Sequence, residues 1–385
     1  MARNLTDKLA IRFTDAFIQL DRFTARLRNQ TLTFLHELQN DLRREIRRFD
    51  LEGVSRTAAK RTRAEKLIAE VKRLSSIRYG EMQATVEREL VSLAEFQHEK
   101  TVRLTNNAIQ ANIVDVTLTR PELKKLLADK PILGLPIKEW FGAELQGNQR
   151  RFAQQVRLGL AAGETNEQLV QRIVGRPTGK SAIVYGKSGK ALKVREFAGG
   201  ILDIDKNHAR TLVRTAVQSV SNTVLEETYQ ENVDVLKGRQ ALVTLDNRTS
   251  DICIARSGAS WDFQGKPLPE SSVQEPFPGE PPWHPNCRTI LLPITKSWEE
   301  LLEESGTRFK KTLNTVPDSS RASMDGQISG QIRTFEDWLK LKGDAAAEKI
   351  LGRGRFELWK KKKINLAQLI DQSGKPRTLE QLKDL

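Results

Sequence analysis

The apolar positions of the first hundred residues recur with the period of an α-helix. Steps of three and four residues separate Leu5, Leu9, Phe13, Phe17, Leu20, Phe23 and Leu27, and the series continues through Leu35, Leu38, Leu42, Ile46 and Phe49. After a break near Gly53, a second series joins Leu67, Val71, Leu74, Met82, Val86, Leu90, Leu93 and Phe96. Stripes of this kind are typical of packing surfaces. The pattern predicts a helical arm over residues 1–110, folded as an antiparallel hairpin or a coiled coil.

Shorter helical patterns follow and predict a helical middle domain over residues 111–235. One helix opens at Thr119 and Pro121, and another runs over about 137–160. Thr165 and Gln168 have the spacing of a capping box, which predicts the start of a short helix. A further helix is predicted over about 204–229.

Between residues 176 and 200 the composition changes to Gly, Lys and Ser around short apolar pairs. This change predicts a β-hairpin over 181–195 that turns at Gly186–Gly189. A flexible basic linker is the alternative interpretation. The clusters GRPTGKS and YGKSGKA lack the four-residue spacing between glycines that holds a nucleotide phosphate, so we exclude a phosphate loop.

Residues 236–300 differ from the helical parts and predict a small α+β module. The runs ALVTL (241–245) and TILLPI (289–294) have the composition of strands, and Trp261 marks a third strand between them. Residues 301–385 contain short apolar clusters that predict a tail of short helices. Since such helices are marginal alone, we expect them to dock on the central domain or on a neighbouring subunit. The fold class predicted is mainly α with a small α+β module.

The predicted module contains both cysteines of the chain, and these are the candidate metal ligands. His284 and Cys287 are separated by two residues, so one turn can present both to a single ion, and Cys253 adds a third ligand of a tetrahedral zinc site. Asp246 or Asp251 is the natural fourth ligand, and His208 is a weaker candidate. The alternative is a metal-free core, with His284 hydrogen-bonded to backbone and the cysteines buried as small apolar residues.

An enzymatic role for these residues finds less support in the sequence. A zinc deaminase needs a His-x-Glu element, but Pro285 and Asn286 follow His284. A cysteine nucleophile paired with histidine would need a third group to orient the histidine, and the sequence does not offer one. We therefore predict that the protein is not an enzyme and that structural zinc is its sole candidate cofactor.

The chain of 385 residues has a formal net charge of +14 and a pI near 9.7. Such charge favours an anionic partner, although it also suits long exposed helices. The candidate contacts to nucleic-acid phosphates are Arg43, Arg44, Arg47, Arg48, Lys60, Arg61 and Arg63. No stretch approaches the roughly 20 apolar residues of a membrane-spanning helix, and the N-terminus lacks the apolar core of a signal peptide. We expect a protein made in a reducing cytoplasm, where two cysteines do not normally form a disulfide.

One family resemblance arises from the cysteine segment. The series LDNRTSDIC, a Gly and a Trp, PPWHPNCRT and a closing apolar strand resembles the signature of Mu F-like phage minor head proteins, the head-morphogenesis family. The segments AAGETNEQLVQRI and HARTLVRTAVQSVSN upstream, and RASMDGQI and the stretch from FEDWLKLKGD to the C-terminus downstream, are also similar to this family. The resemblance extends over about 110–385. It departs at Ile254, Ala255 and Thr289, where many relatives carry further cysteines or a histidine.

The resemblance implies a structural virion protein of a tailed bacteriophage, present in several copies inside the capsid near the portal vertex. The expected partner is the portal protein, with the major capsid protein and packaged double-stranded DNA as further candidates and no membrane. The implied role is in head assembly, DNA packaging or DNA ejection. A DNA-binding virion protein that uses its basic helical arm is the alternative.

Overall fold

The computed structural model describes residues 2–49, 57–109, 114, 118–185, 191–297, 300, 321–323, 326–328, 334–371 and 374–385. Contacts divide the chain into two compact units. Unit 1 consists of Met1–Leu20, Leu93–Leu123 and Gln218–Leu385, and unit 2 of Asp21–Ser92 and Lys124–Val217. The structure is mainly helical with small antiparallel sheets, which confirms the predicted fold class.

Helix α1 (Ala2–Arg48) and helix α2 (Thr57–Ile109) confirm the two long helices that the apolar stripes predict. The predicted stripe positions that are buried are Phe13, Leu20, Leu27, Leu35, Leu38, Leu42, Ile46, Leu67, Val71, Met82, Val86, Leu90 and Leu93. The side chains of Leu5, Leu9 and Phe17 lie outside the described residues. Phe96 departs from the prediction because its side chain is 47% exposed.

Ion pairs within unit 2 give the relative direction of the two long helices. Arg26 on α1 lies 3.2 Å from Glu89 on α2, whereas Arg78 of α2 lies 2.6 Å from Glu37 and 2.9 Å from Asp41. As the residue number of the partner on α1 increases, the residue number of the partner on α2 decreases. The helices of unit 2 therefore run antiparallel, as expected of a helical hairpin.

The two units do not follow the predicted boundaries after residues 110, 235 and 300, because each unit includes sections of both long helices. At 1.5 Å per residue, the 47 residues of α1 extend over about 70 Å, more than one compact core can cover. Residues Thr31 to His36 are all buried, so neighbouring elements cover more than one face of α1 in unit 2.

The remaining helices begin and end close to the predicted positions. They are α3 (Arg120–Asp129), α4 (Ile137–Ala161), α5 (Asn166–Val174) and α6 (Leu202–Gln230). The predicted capping box is present, since Thr165 accepts a hydrogen bond from the backbone of Gln168 and Gln168 accepts one from the backbone of Thr165. Among the described residues, no helix has the length and apolar character needed to cross a membrane.

The predicted β-hairpin is observed in unit 2, where strand β1 (Gly175–Tyr185) pairs antiparallel with β2 (Ala191–Gly199). Gly175 is paired with Gly199 and has a φ of +96°. A Cβ at Gly175 would lie 2.3 Å from the carbonyl oxygen of Ala198, so only glycine fits this base of the hairpin. The predicted turn at Gly186–Gly189 lies outside the described residues.

The module of unit 1 is a three-stranded antiparallel sheet in the order β4-β3-β5. Its strands are β3 (Leu236–Leu242), β4 (Ser260–Trp261) and β5 (Ile290–Thr295). The prediction of a strand over 241–245 was wrong in position, because the polar residues before it belong to β3. Arg239 is buried against the carboxylate of Glu226 at 2.5 Å and stacks on Phe277 at 3.8 Å. A paired guanidinium thus occupies a place where the pattern rule expects an apolar residue.

One core cluster of unit 1 joins residues that are far apart in the sequence. Phe13 of α1, Val102 of α2 and Leu225 of α6 pack with Leu236 of β3 and Leu291 of β5. Tyr229 is fully covered there and donates a hydrogen bond to the carbonyl oxygen of Leu291 at 3.1 Å. The sheet is therefore held against sections of three helices.

The C-terminal tail consists of short elements, as predicted. They are β6 (Arg321–Ser323), β7 (Gly326–Ile328), α8 (Phe335–Lys342), α9 (Asp344–Leu351), α10 (Arg353–Lys360), a 3-10 turn (Leu366–Leu369) and α11 (Leu379–Lys383). Phe335, Trp338 and Leu339 are fully buried in a cluster that includes Leu245 and Ile254 of the module. The helices after residue 334 thus dock on their own chain.

Candidate metal centre

Cys253 is positioned by a short helix that follows strand β3. This helix, α7 (Asp251–Ala255), begins after Ser250, whose hydroxyl accepts a hydrogen bond from the backbone N–H of Cys253 at 3.4 Å. Ser is a favoured residue at such a position because its side chain satisfies a free amide of the first turn. The cap fixes Cys253 in the first turn, where its side chain is 3% exposed.

His284 and Cys287 are positioned by a tight turn just before β5. The backbone N–H of Cys287 donates to the carbonyl oxygen of His284 at 3.1 Å. Asn286 has a φ of +61°, a left-handed conformation that Asn adopts more readily than most residues. The turn brings the two predicted ligands to the same side of the chain.

The three predicted ligands Cys253, His284 and Cys287 meet in the structure. The two sulfur atoms are 3.7 Å apart, and Cys253 Sγ lies 3.1 Å from His284 Nε2. All candidate ligand atoms of the group lie within 4.8 Å of one another. Tetrahedral zinc with bonds of about 2.3 Å to sulfur places two sulfur ligands about 3.8 Å apart. The group therefore has dimensions that a metal ion requires.

The hydrogen bonds of the imidazole leave the correct nitrogen for a metal. His284 Nδ1 lies 2.8 Å from the carbonyl oxygen of Pro285, which can only accept, so Nδ1 carries the proton. In the neutral ring Nε2 then has a free lone pair, and it faces Cys253 and the hydroxyl of Ser250 at 2.8 Å. This arrangement of one bound and one free nitrogen is typical of histidine ligands.

The cysteine pair is electrostatically coupled. A hydrogen bond from Cys253, with a further contribution from His284, lowers the pKa of Cys287 to about 4 despite burial. The same hydrogen bond and burial raise the pKa of Cys253. Burial opposes the charged form of His284, but its hydrogen bond to Cys287 raises the pKa of the imidazole above its ordinary value. The group thus stabilises one thiolate, the form in which cysteine binds metals.

Asp246, the predicted fourth ligand, does not join the group. Its carboxylate oxygens lie 2.6 Å from two nitrogens of Arg288, and one oxygen accepts the backbone N–H of Arg248 at 3.0 Å. Burial acts against the charged form, yet the hydrogen bonds and charge of Arg288 lower the pKa of Asp246 to about 2. Because Arg288 already engages this carboxylate, the structure does not bring Asp246 into the group with the cysteines and histidine.

The other two candidates for the fourth position are also engaged elsewhere. Asp251 forms an ion pair with Arg355 at 2.6 Å, and His208 lies 2.9 Å from the carboxylate of Glu144 in unit 2. Among the described residues, no other Cys, His, Asp or Glu completes the group. The cavity beside it has a volume of about 20 Å³, which is room for a single water molecule.

Two polar residues contact the cysteines and histidine although neither is among the predicted site residues. Ser250 contacts His284, and Thr289 donates its hydroxyl hydrogen to Cys253 Sγ at 3.1 Å. Thr289 is held from α6, since the side-chain amides of Gln218 and Asn222 donate to its carbonyl oxygen at 2.7 and 3.0 Å. The position of Ser250, three residues before Cys253, is the signal that could have identified it as a helix cap.

The predicted nucleic-acid contacts are mostly engaged within unit 2. Arg44 lies 2.7 Å from Asp41, Arg47 lies 2.6 Å from Glu167, and Arg48 lies 3.5 Å from Glu45. The guanidinium of Arg43 stacks over Phe197 at 4.6 Å, whereas Lys60 is half-buried and Arg61 and Arg63 are exposed at the start of α2. Intramolecular carboxylates thus balance much of the arginine charge at the end of α1.

Residues 150–292 match the model of the family described as Phage Mu protein F like protein. The match extends from α4 to β5 and contains all three residues of the metal group. It confirms the resemblance to this family over the matched residues, which make up less than half of the chain. A search of curated proteins and a search of solved structures returned no match.

Proposed function

We propose that this protein is a minor head protein of a tailed bacteriophage, bound to the portal inside the capsid, where it aids head assembly, DNA packaging or DNA ejection. The Mu F-like match over residues 150–292 carries this proposal. Within that match the Cys253, His284 and Cys287 side chains form one compact group, so the matched segment also contains the candidate metal ligands.

The cysteine and histidine group has a structural role in this proposal. The cavity beside the group, of about 20 Å³, has room for about one water molecule. Nδ1 of His284 contacts the backbone carbonyl oxygen of Pro285, whereas a catalytic base is usually oriented by a carboxylate. Both cysteines are buried. These features support a site that holds α7 against the turn before β5.

The metal that fits this group best is zinc. Cys253, His284 and Cys287 supply two sulfur ligands and one nitrogen ligand, a set that zinc prefers over calcium or magnesium. When bound, the ion would cross-link two segments that are about 30 residues apart in sequence. Three protein ligands leave the fourth position to water or to the hydroxyl of a neighbouring side chain.

The virion proposal is tested on purified particles from an infection. We expect mass spectrometry to find this polypeptide in full heads, and the purified portal protein to retain it on an affinity column. Cryo-electron microscopy of the heads, refined without imposed icosahedral symmetry, should place its density on the inner face of the portal vertex. Particles that lack the polypeptide, or density confined to the outer shell, would contradict the proposal.

The zinc proposal is tested by metal analysis of protein purified under reducing conditions. We expect about one zinc ion per chain in the natural protein and a loss of zinc in Cys253→Ser and Cys287→Ser. Replacement by cobalt should produce the intense near-ultraviolet absorption of sulfur bound to cobalt. A natural protein that takes up no zinc, or a Cys287→Ser variant that keeps the full zinc content, would exclude the assignment.

A further inference from the structure

Helix α6 carries a row of cations in its unit 2 section. Lys206, Arg210 and Arg214 are spaced by four residues, which places them on one face of the helix along about 12 Å. Like charges at this spacing destabilise an isolated helix by a few tenths of a kcal/mol per pair. A compensating charge from a neighbouring element or from a ligand would offset this cost.

The neighbouring element in unit 2 is α1, and it presents further cations. Lys206 Nζ lies 3.4 Å from the side-chain oxygen of Gln39. Burial, followed by the charges of Lys206 and Arg210, lowers the pKa of His36 to about 4. His36 therefore lies beside the row, and its neighbours disfavour a further positive charge.

Arg28 continues the same side of α1. Burial, followed by the charges of Arg214 and Arg210, lowers the pKa of the Arg28 guanidinium, and the opposing effect of Asp21 is smaller. The four cations Arg28, Lys206, Arg210 and Arg214, together with the neutral His36 beside them, thus form one surface of five residues, which we name the α1–α6 cationic face.

Several donors of the α1–α6 cationic face are unsatisfied. Arg28 Nε, Arg214 Nε and His36 Nδ1 are buried without a hydrogen-bond partner in the described part of the chain, and His36 is only 7% exposed. Arg210 donates to the amide oxygen of Asn207 at 2.8 Å. A buried unsatisfied donor costs about 1–3 kcal/mol, more when it is charged. These atoms have almost no accessible surface, so an external ligand would meet the accessible parts of the Arg28, Arg210 and Arg214 side chains instead.

Carboxylates of unit 2 compensate this surface only weakly. Asp203 lies 3.3 Å from Lys206, and it is the one carboxylate within ion-pair distance of the face among the described residues. Residues Arg28, Arg210 and Arg214 are half-buried, so part of each remains accessible, whereas Lys206 is buried. The arginines at the end of α1 differ in this respect, because carboxylates already pair with Arg44, Arg47 and Arg48.

The positive charge continues from this face onto the β1–β2 hairpin. Arg43 Nε is also buried without a partner, and its guanidinium stacks over Phe197 of β2. Burial and the charge of Arg47 lower the pKa of Arg43, Glu167 opposes this effect, and Arg195 adds a smaller lowering. Lys193 and Arg195 are exposed and share the strand face of Phe197. From Arg28 to Arg43 the cationic line extends over about 22 Å.

We propose that the α1–α6 cationic face, continued by Arg43 and Arg195, binds the phosphate backbone of duplex DNA. Duplex DNA carries a phosphate about every 1.7 Å along its axis when both strands are counted, so a line of this length meets several phosphates in any register. An acidic protein surface would need carboxylates at matched positions. Arginine, which supplies three of the five residues, favours phosphate because its planar donors bind two oxygens at once.

Binding of this kind is independent of base sequence and depends strongly on salt. Each phosphate contact releases condensed counterions, and the slope of log K against log salt falls by about 0.9 per contact. This inference goes beyond the proposed place at the portal. DNA binding by the purified protein and its presence in virions are separate measurements, so one can fail while the other stands.

The experiment uses full-length protein and a fluorescent duplex of random sequence, with affinity measured by anisotropy between 50 and 200 mM salt. We expect the variant R28Q/R210Q/R214Q to bind about tenfold or more weakly at 100 mM salt. Its salt slope should be smaller by about 3 than that of the natural protein. Circular dichroism serves to confirm the fold. Because the substitutions remove repulsion, we expect the variant to fold at least as stably.

The matched control removes three charges from the predicted contacts at the start of α2, in K60Q/R61Q/R63Q. We expect its salt slope to change by less than about 1, while R28K/R210K/R214K, which keeps the charge, retains most of the natural slope. If both glutamine variants lost the same amount of salt slope, the assignment of the site would be overturned. An unchanged salt slope in R28Q/R210Q/R214Q would overturn it as well. Polyglutamate and unlabelled DNA are then compared as competitors at equal concentrations of negative charge. If polyglutamate displaced the bound DNA more effectively, an acidic protein would be the occupant of the face instead.

Discussion

Asp246 lies 2.6 Å from two nitrogens of Arg288, and its side chain is 9% exposed. Removal of one partner of a pair this well covered leaves the other charge without compensation, which costs about 3 kcal/mol. We expect Asp246→Ala to lower the free energy of unfolding by about this amount in urea denaturation, while the zinc content of the purified protein stays unchanged.

The control for this experiment is Asp251→Ala. Asp251 pairs with Arg355 at 2.6 Å, but its side chain is 27% exposed, so we expect a smaller loss of about 1 kcal/mol. If Asp246→Ala abolished zinc binding in a folded protein, Asp246 would be a ligand after all.

His36 predicts a pH effect of definite sign. Burial, Lys206 and Arg210 lower its pKa to about 4 from 6.5, so the unfolded chain takes up the proton first as the pH falls. Stability is therefore present above pH 6.5 and is lost as the pH falls toward 4, by up to about 3 kcal/mol. We expect His36→Leu to remove this part of the acid destabilisation, as measured by urea unfolding at pH 7 and pH 4.5.

His208→Leu is the control for the pH effect because the imidazole of His208 is exposed on the same helix as Lys206. This variant should keep the acid destabilisation of the natural protein. If His36→Leu kept the pH dependence of the natural protein, groups other than His36 would account for the loss of stability at acid pH.

At the residue scale, the sequence predicts some ligands better than others. The two-residue spacing of His284 and Cys287 places both in one turn whatever the rest of the fold does, and Cys253 is one of only two cysteines. Asp246 could not be judged in this way, since its partner Arg288 is 42 residues away. The spacing of a motif is local information, whereas the partner of a carboxylate depends on the tertiary fold.

At the element scale, Gly238 determines how closely β4 approaches β3. A Cβ at this position would lie 2.3 Å from the backbone carbonyl oxygen of Trp261, and a backbone atom cannot move aside without displacing the strand. We expect Gly238→Ala to lower the free energy of unfolding by about 2–3 kcal/mol in urea denaturation.

Gly80→Ala in α2 is the matched substitution, because no atom lies within 4 Å of its Cβ position and the residue is inside a helix. It should raise stability by about 0.5–1 kcal/mol. If Gly238→Ala were as stable as the natural protein, β4 would have more space beside β3 than the structure gives it.

The elements differ in how far the sequence determines them. The long helices could be predicted because their apolar stripes continue over more than ten turns, and α5 because its capping box is local. The start of β3 could not be predicted, since the Glu226 carboxylate and the Phe277 ring that cover Arg239 come from other elements. Phe96 has the correct period but is exposed, which shows that a stripe predicts a helix more reliably than the burial of each member.

At the scale of the whole molecule, unit 1 is assembled from three separate parts of the chain. Phe13 lies in the same core cluster as Val102, Leu225 and Leu291, so this core is complete only when residues almost 280 positions apart have come together. No periodicity in the sequence contains this information, because an apolar stripe does not identify its partner. Long-range assembly of this kind is also expected to be slow.

Phe13→Ala tests this assembly. Phe13 is 1% exposed, and truncation of a buried phenylalanine costs about 3–5 kcal/mol. We expect the loss to appear far along the sequence, as faster hydrogen exchange of the backbone amides of β5, whose Leu291 and Leu292 pack in the same cluster. Phe96→Ala removes an exposed ring from α2 and should change stability by less than about 0.5 kcal/mol. Faster exchange confined to α1 in Phe13→Ala would mean that the N-terminal section of this helix does not stabilise the sheet.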